Sequence, residues 1–417
     1  MNEAESKSTR LETDVVISGG GPVGLMLALG LAQNGYQVVV AERFAHDETA
    51  DTQSQTQKSS FDGRVLALSF GSAQVLQKLR LWQDLRPFLT DILHVHVSQK
   101  GYLGLTKLHA AESGVPALGY SVQSSDLGRV LWQHVQKQAG ITVLCPATLL
   151  EFEENAQGVV AKIQSGQQQT DIVEVQARLM VGADGTDSQV RKQLKLPIEE
   201  KSYDAFGVIA QIETRDAPDG WSFERFTEEG PVALLPMQGH FHKAVLVCPQ
   251  EQLEQVMSLD DAGFIELFAS KMGERLGGFV SVSPRMAYPL KESYVPQMVQ
   301  GRAVLMGNAS HTQHPVAAQG LNLGIRDIDD FIEALAKAGL DQQKLCDPGK
   351  SELLQNYAQK RREDHARVMN LTDGLIQVFQ HRSPIVGHLR GVGLMAMQAM
   401  PKLRRRFARF AMGGRQA

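Results

Sequence analysis

The sequence predicts an α/β fold: a Rossmann-type parallel sheet, an inserted, mainly antiparallel β-sheet, and a C-terminal helical segment. Three observations predict it. Near the start, an apolar strand runs into a glycine turn that opens a helix, and a second strand follows. At 177–191 another apolar strand ends in Gly-Ala-Asp-Gly just before a helix start. Between 206 and 248, four short segments joined by turns replace the strand–helix rhythm.

The first block carries the most information. After the apolar run Val15-Val16-Ile17, residues Gly19, Gly21 and Gly24 fit G-x-G-x-x-G, with Val23 inside the pattern. The first glycine lets the chain turn tightly. The second lets the backbone approach a pyrophosphate, and the third lets helix and strand pack closely. The free N–H groups and positive dipole end of the helix favour an anion there. Asn34-Gly35 ends the helix. Residues 37–41 form the next strand, with Glu42 and Arg43 at its end. Glu42 stands about 20 residues beyond the turn, where a ribose hydroxyl can donate to it. The block points to a dinucleotide and leaves FAD and NAD both open.

A chain of 417 residues can bury a large core and is expected to make two joined domains. Charged residues are 21% and the formal net charge is −4, so no global field draws in nucleic acid. No apolar run approaches the roughly 18 residues of a spanning helix. Residues 1–13 are polar, lack the apolar core of a signal peptide and read as a disordered tail. Cys145, Cys248 and Cys346 are far apart and form no metal or redox motif. They read as small buried hydrophobes in a reducing cytosol.

Further along, Ala45 to Ser60 is polar and reads as a mobile loop. Arg64 is either a phosphate partner or an exposed salt-bridge arginine. Residues 72–85 have helical spacing, and 94–97 alternate like a strand. His94 and His96 lack a third metal ligand and read as a half-exposed strand. Residues 126–139 form a helix capped by Ser125 or Asp126. Arg129 in its first turn faces either the cofactor or solvent. Asp184 bonds a ribose, positions a loop near the pyrophosphate, or closes a bare Asx-turn.

In the inserted sheet, Trp221, Phe223 and Arg225 share one face, and Ser222, Glu224 and Phe226 the other. An apolar face there walls a substrate pocket or forms a structural layer. Residues 259–276 read as helix, and 285–290 as an edge strand because of Pro289. A third block has a strand ending at Gly307-Asn308, a loop at 311–315, and a helix opening at Gly320-Leu321-Asn322. His311 and His314 have no accompanying ligand set, so no metal is expected. The chain is helical from Glu352. Lys402, Arg404, Arg405, Arg406 and Arg409 lie among Leu403, Phe407, Phe410 and Met412. That mixture suits an anionic membrane surface, an acidic partner, or a solvated helix end.

In this order, the blocks at 19–42, 182–187 and 307–324 resemble the FAD-dependent aromatic hydroxylases. These are the group A flavoprotein monooxygenases with the para-hydroxybenzoate hydroxylase fold, and the likeness covers nearly the whole chain. Phe61-Asp62-Gly63-Arg64, Phe223-Glu224-Arg225-Phe226-Thr227 and Leu234-Leu235-Pro236-Met237 look like the ubiquinone-biosynthesis branch. The resemblance implies a discontinuous FAD-binding domain (1–90, 121–200 and 296–345). It also implies a substrate-binding β-sheet domain (91–120 and 201–295) and a helical segment (346–417).

FAD is implied to bind at Gly19, Gly21, Val23, Gly24, Glu42, Arg43, Arg64 and Arg129. Asp184 belongs to a motif associated with both FAD and NADPH. The family usually has Gly-Asp where this chain has Gly307-Asn308; asparagine keeps an acceptor, adds donors and loses the charge. Pro315, Gly320, Leu321 and Asn322 match the loop beside the isoalloxazine ring. A helix N-terminus there favours the negative charge of a reduced flavin.

The implied reaction uses NAD(P)H to reduce the flavin and O2 to form a C4a-hydroperoxide. That species hydroxylates a polyprenylated methoxyphenol para to its hydroxyl. The cofactor supplies the chemistry, consistent with a sequence lacking a nucleophile–base constellation, and no catalytic residue is named. Two alternatives stay open: a same-fold flavin reductase or dehydrogenase, and an FAD-containing scaffold of a ubiquinone-synthesis assembly. The expected location is cytoplasmic, peripheral to the inner membrane or docked to partner proteins, with no nucleic acid.

Overall fold

The computed structural model describes residues 9–44, 64–166, 171–313, 319–340, 345–380 and 383–413. The loop expected at 45–60, the Phe61-Asp62-Gly63 motif, His314 and Pro315 lie outside the described residues.

The nucleotide-type sheet has six strands in the order Val299–Gln300, Ala303–Leu305, Leu179–Gly182, Val15–Ser18, Val38–Ala41 and Ile141–Leu144. All neighbours are parallel except the first pair. Its central strands are apolar at nearly every position because both faces are covered. Helix Pro22–Gln33 packs against helices Ser124–Lys137 and Gln319–Leu340.

The larger sheet runs His311–Thr312, Met286–Tyr294, Glu199–Thr214, Phe241–Pro249, Gly230–Pro236, Trp221–Thr227, His94–Gln99 and Leu105–His109. Phe279–Val282 pairs with Glu199–Thr214 beside this path. The pairings are antiparallel except Trp221–Thr227 with His94–Gln99. Alternation separates its faces. Val208, Ile212, Phe223, Leu234 and Leu246 form a core with Phe264 and Phe268 of helix Asp261–Met272. Their sequence neighbours Gly207, Ile209, Glu224, Leu235, Val245 and Val247 line a cavity instead. The pocket wall and the structural layer are therefore opposite faces of one sheet, and the Trp221–Phe223 face is the structural one.

Several sequence expectations are corrected. Thr9–Glu12 is no disordered tail: it pairs in parallel with Asp171–Ala177 at the edge of a four-stranded sheet. The 72–85 helix is two, Phe70–Lys78 and Trp82–Leu85, separated by Arg80 at φ 59°. The helix expected at 126 starts at Ser124, with Gln123 at the cap position and no side-chain cap bond. His311–Thr312 is a short strand, not loop. The tail makes three helices, Ser351–Gln380, Pro384–Ala399 and Pro401–Ala411; the last two each begin on a proline, whose missing N–H costs nothing there. Among the described residues, no helix is long and apolar enough to cross a membrane.

Candidate functional site

A cavity of about 1450 Å³ runs from the glycine turn, along the inner face of the large sheet, to the C-terminal helices. Its nucleotide end is built from backbone. Gly19 has φ +106°, donates its N–H to Ala41 O at 2.8 Å, and leaves no room for a side chain: a Cβ would stand 2.4 Å from Ala183 O. At Gly24 a Cβ would stand 1.9 Å from Gly19 O, so helix and turn pack backbone to backbone. Gly21 is the N-cap of helix Pro22–Gln33 and lines the cavity. Val23 wedges between the backbones of Gly307 and Gly324, where a Cβ would meet its Cγ2 at 2.9 and 2.7 Å.

Glu42 accepts Gly20 N–H at 2.6 Å and Phe44 N–H at 2.8 Å, one on each oxygen. Both oxygens keep a lone pair for a ribose hydroxyl. The Arg43 guanidinium lies 4.5 Å from the Phe44 ring, and both residues line the cavity. Asp184 Oδ2 accepts Gln189 N–H at 2.8 Å and Val190 N–H at 3.3 Å, which positions the loop before helix Gln189–Gln193. Its Oδ1 is buried without a partner among the described residues. Asn308 is exposed on the cavity wall. Among the described residues, chain neighbours aside, no atom lies within 4 Å of where a Cβ would stand at Gly185 or Gly320. The glycine cradle, the unsatisfied acceptor of Asp184 and the open space at both glycines fit a flavin dinucleotide.

Two candidates stand elsewhere in function or place. Asn322 lines the cavity, but its side chain is a brace: Oδ1 accepts Ser69 N–H at 2.8 Å and Ser72 Oγ–H at 2.7 Å, and Nδ2 donates to Ala67 O at 3.0 Å. Arg129 is not on the cavity wall. It pairs with Asp126 at 2.7 Å and lies over the Phe88 ring at 4.5 Å, so of its two readings the structure has the one away from the cofactor. Arg64 does line the cavity, 5.2 Å from the Tyr288 ring.

Behind the Gly307 turn lies a buried network that the sequence reading missed. Asp327 Oδ2 accepts Gly307 N–H at 3.0 Å, and its Oδ1 accepts from Arg361 Nε at 2.7 Å. Arg361 also binds Asp330 and Asp364, at 2.8 and 2.7 Å. Burial works against the Asp327 charge, but Arg361, with His311 and His365, outweighs it and holds the carboxyl below the usual range. His311 is pushed down to about 3, by burial first and His365 second. Donor atoms of His311, Asp327 and His365 lie within 4.8 Å of one another. This is a ligand set that the sequence did not show beside His311; in the structure Asp327 is bonded by Arg361 and His365 on Oδ1 and by Gly307 N–H on Oδ2, so the cluster braces the strand end that carries Asn308. The i, i+3 spacing of Asp327 and Asp330 was a legible signal; their partner Arg361 on another helix was not.

The far end of the cavity is apolar, walled by Leu389, Leu394 and Met397 from Pro384–Ala399 and by Phe407 and Met412 further on. Phe226 stacks on Phe379 with centroids 3.7 Å apart. This corrects the reading of the basic tail. Phe407 and Met412 pack inward with Leu108 and Leu118. Arg404 is held by Glu112 at 2.8 Å and by Gln398 O. Lys402, Arg405, Arg406 and Arg409 stay exposed, as do Met400 and Leu403 next to them in sequence and Ile385, Leu389 and Val392 on the preceding helix.

Residues 12–372 match the FAD binding domain family. The chain is 32% identical over 400 residues to the ubiquinone hydroxylase UbiL of Rhodospirillum rubrum, covering 96% of this chain and 89% of that protein. It is 28% identical to the 3-demethoxyubiquinol 3-hydroxylase of Escherichia coli, covering 97% and 100%. Among solved structures, p-nitrophenol 4-monooxygenase PnpA from Pseudomonas putida superposes with a TM-score of 0.76 at 17% identity, over 98% of this chain and 100% of that one. That likeness is one of fold.

Proposed function

Because the chain belongs to the FAD binding domain family, within its branch of FAD-dependent ubiquinone-biosynthesis hydroxylases, we propose that it hydroxylates the ring of a polyprenylated methoxyphenol with O2 and NAD(P)H. One observation carries the finer reading: a single cavity has a dinucleotide cradle at one end and a long apolar passage at the other. A ring-only substrate would not need that passage, whereas a prenyl tail gains free energy from every apolar contact in it.

FAD, when bound, supplies the redox chemistry and the activation of oxygen. The chain's part is to bind, orient and keep dry. Gly19, Gly21 and Gly24 let the backbone approach the pyrophosphate, with Val23 and Arg43 beside it. Glu42 takes a ribose hydroxyl, and Asp184 Oδ1 offers a further acceptor. Asn308, Gly320, Leu321 and the start of helix Gln319–Leu340 favour negative charge on the ring side. The apolar sheet face excludes water around the reacting ring.

The same reading accounts for delivery. Four exposed cations with exposed Met400 and Leu403 next to them in sequence suit an anionic bilayer surface, from which a water-insoluble tail enters the passage lined by Leu389.

The test is ¹⁸O2 with FAD-loaded protein, NAD(P)H and a prenylated methoxyphenol. One ¹⁸O in the phenolic product is expected. NAD(P)H consumption without label in any organic product identifies a reductase. Turnover only after reconstitution with partner proteins identifies an assembly component.

A further inference from the structure

We propose that Glu224 receives the phenol hydroxyl of the substrate and takes up its proton during ring hydroxylation. The proposal rests on the phenol-hydroxylase reading above.

Glu224 lies on strand Trp221–Thr227, opposite Val97 on one neighbour and Ala233 on the other. All three residues line the cavity, together with Val95, Leu235 and Val245. The other carboxylates on the wall stand at the nucleotide end and have partners. Glu42 holds Gly20 and Phe44, Asp184 caps the Gln189 turn, and Asp187 pairs with Lys192 at 2.6 Å. Glu224 is thus the acid of the sheet end among the described lining residues.

No described donor is bonded or ion-paired to its carboxylate. The cations that share the cavity face other partners: Lys243 donates to Val65 O at 2.6 Å, Arg64 lies over Tyr288, and Arg390 donates to Val378 O and Phe379 O at 2.8 and 2.6 Å. Lys291 also lines the wall, without a bond to Glu224. Arg225 donates to Met272 O, and Arg275 lies over the Phe223 ring, both across the sheet. Glu224 keeps partial surface that opens into the cavity, and burial pushes its carboxyl up to about 7. An acid that is half ionised near neutral pH is well matched to accept and return a proton.

In the step, the phenol O–H bond breaks and a Glu224 Oε–H bond forms. The electron pair stays on the phenol oxygen and enriches the ring for attack by electrophilic oxygen. The ring C–H proton passes to solvent as aromaticity returns, and Glu224 gives its proton back to the phenolate. Overall, ring C–H, O2, NAD(P)H and a proton become ring C–OH, NAD(P)⁺ and water, with Glu224 unchanged.

Glu224→Gln keeps the shape and removes the base. With a short-chain prenylated methoxyphenol, turnover should fall about 100-fold, with FAD content unchanged. The wild-type loss of kcat/KM below about pH 7 should vanish in the variant. Glu224→Asp should retain that acid limb at reduced rate, which covers the case where the glutamine variant loads poorly.

Two readouts need no turnover. The variant should bind the phenol more weakly, and bind its O-methyl ether as wild type does. Stability supplies the other. The native carboxyl holds its proton above the pH at which the unfolded chain releases it, so wild-type stability falls from about pH 4.3 up to about 7 and stays low above. Glu224→Gln should therefore raise Tm at pH 8 and leave it nearly unchanged at about pH 3.5, below both pKa values. Wild-type turnover, an intact acid limb and unchanged phenol binding in Glu224→Gln would overturn the proposal. A wild-type protein that puts no ¹⁸O into any phenol would overturn the functional reading instead, while the ether comparison still reports the Glu224 contact.

Discussion

At the nucleotide end of the cavity the wall is backbone, tightly packed and already hydrogen-bonded, with Glu42 clamped by Gly20 and Phe44. At the sheet end the wall is side chain, mostly apolar, with a carboxylate that no described donor reaches. The first end has almost no freedom to vary, because a single methyl group collides with a carbonyl. The second changes character with one substitution, because alternation along a strand sends each residue to its face independently of its neighbours. A fixed cofactor seat beside an adjustable substrate wall is how one fold hosts many substrates.

Breaking the rigid end should have the largest effect. Gly24→Val puts branched carbon where even a Cβ lies 1.9 Å from Gly19 O. It should abolish FAD binding and lower or erase the folding transition, read by the flavin absorption spectrum and by Tm. A folded variant with stoichiometric FAD would contradict the packing argument. Next is the buried brace behind Gly307. Arg361→Met strands buried Asp327 without its guanidinium, while Asp330 keeps Lys360 at 2.8 Å, at a cost of about 3 kcal/mol, measurable by urea denaturation.

A smaller effect belongs to the outer surface. Arg405→Glu with Arg406→Glu should weaken binding to anionic vesicles by at least about 2 kcal/mol at low salt, with FAD content unchanged. Vesicle binding that ignores both the charges and the salt would remove the membrane reading. Smallest is Glu42→Ala, which should weaken FAD roughly tenfold, or about 1.4 kcal/mol, while the fold persists; equilibrium dialysis of the flavin checks it.

What was legible in the sequence divides along the same line. The glycine turns are local: each glycine answers to backbone a few residues away or to the next strand, so their spacing carries their meaning. Glu224 could be assigned to a face by period two, but its isolation depends on which charges the fold turns away, and those come from distant segments. Arg129 shows the converse. Its place in a first helical turn suited a cofactor contact, yet Asp126 three residues earlier and Phe88 of another segment hold it. Phe407 and Met412 resembled membrane-inserting residues beside arginines until packing against Leu108 and Leu118 turned them inward. Truncating the chain after Pro401 would thus remove part of the cavity wall along with the basic surface. Asn322 lines the cavity, and that its side chain also ties the helix start to Ser69 and Ser72 depends on a segment far away in the chain.

The central claim is that one cavity holds the flavin at the glycine end and the substrate tail among the C-terminal helices. Gly393 tests it most directly, since it lines the tail end and, among the described residues beyond its own helix, no atom lies within 4 Å of where its Cβ would stand. Gly393→Leu adds a branched side chain to that wall. Turnover of a long-chain prenylated phenol should fall at least about tenfold relative to a short-chain analogue, with FAD content and Tm unchanged. Equal rates on both substrates, or equal losses on both, would contradict the shared cavity.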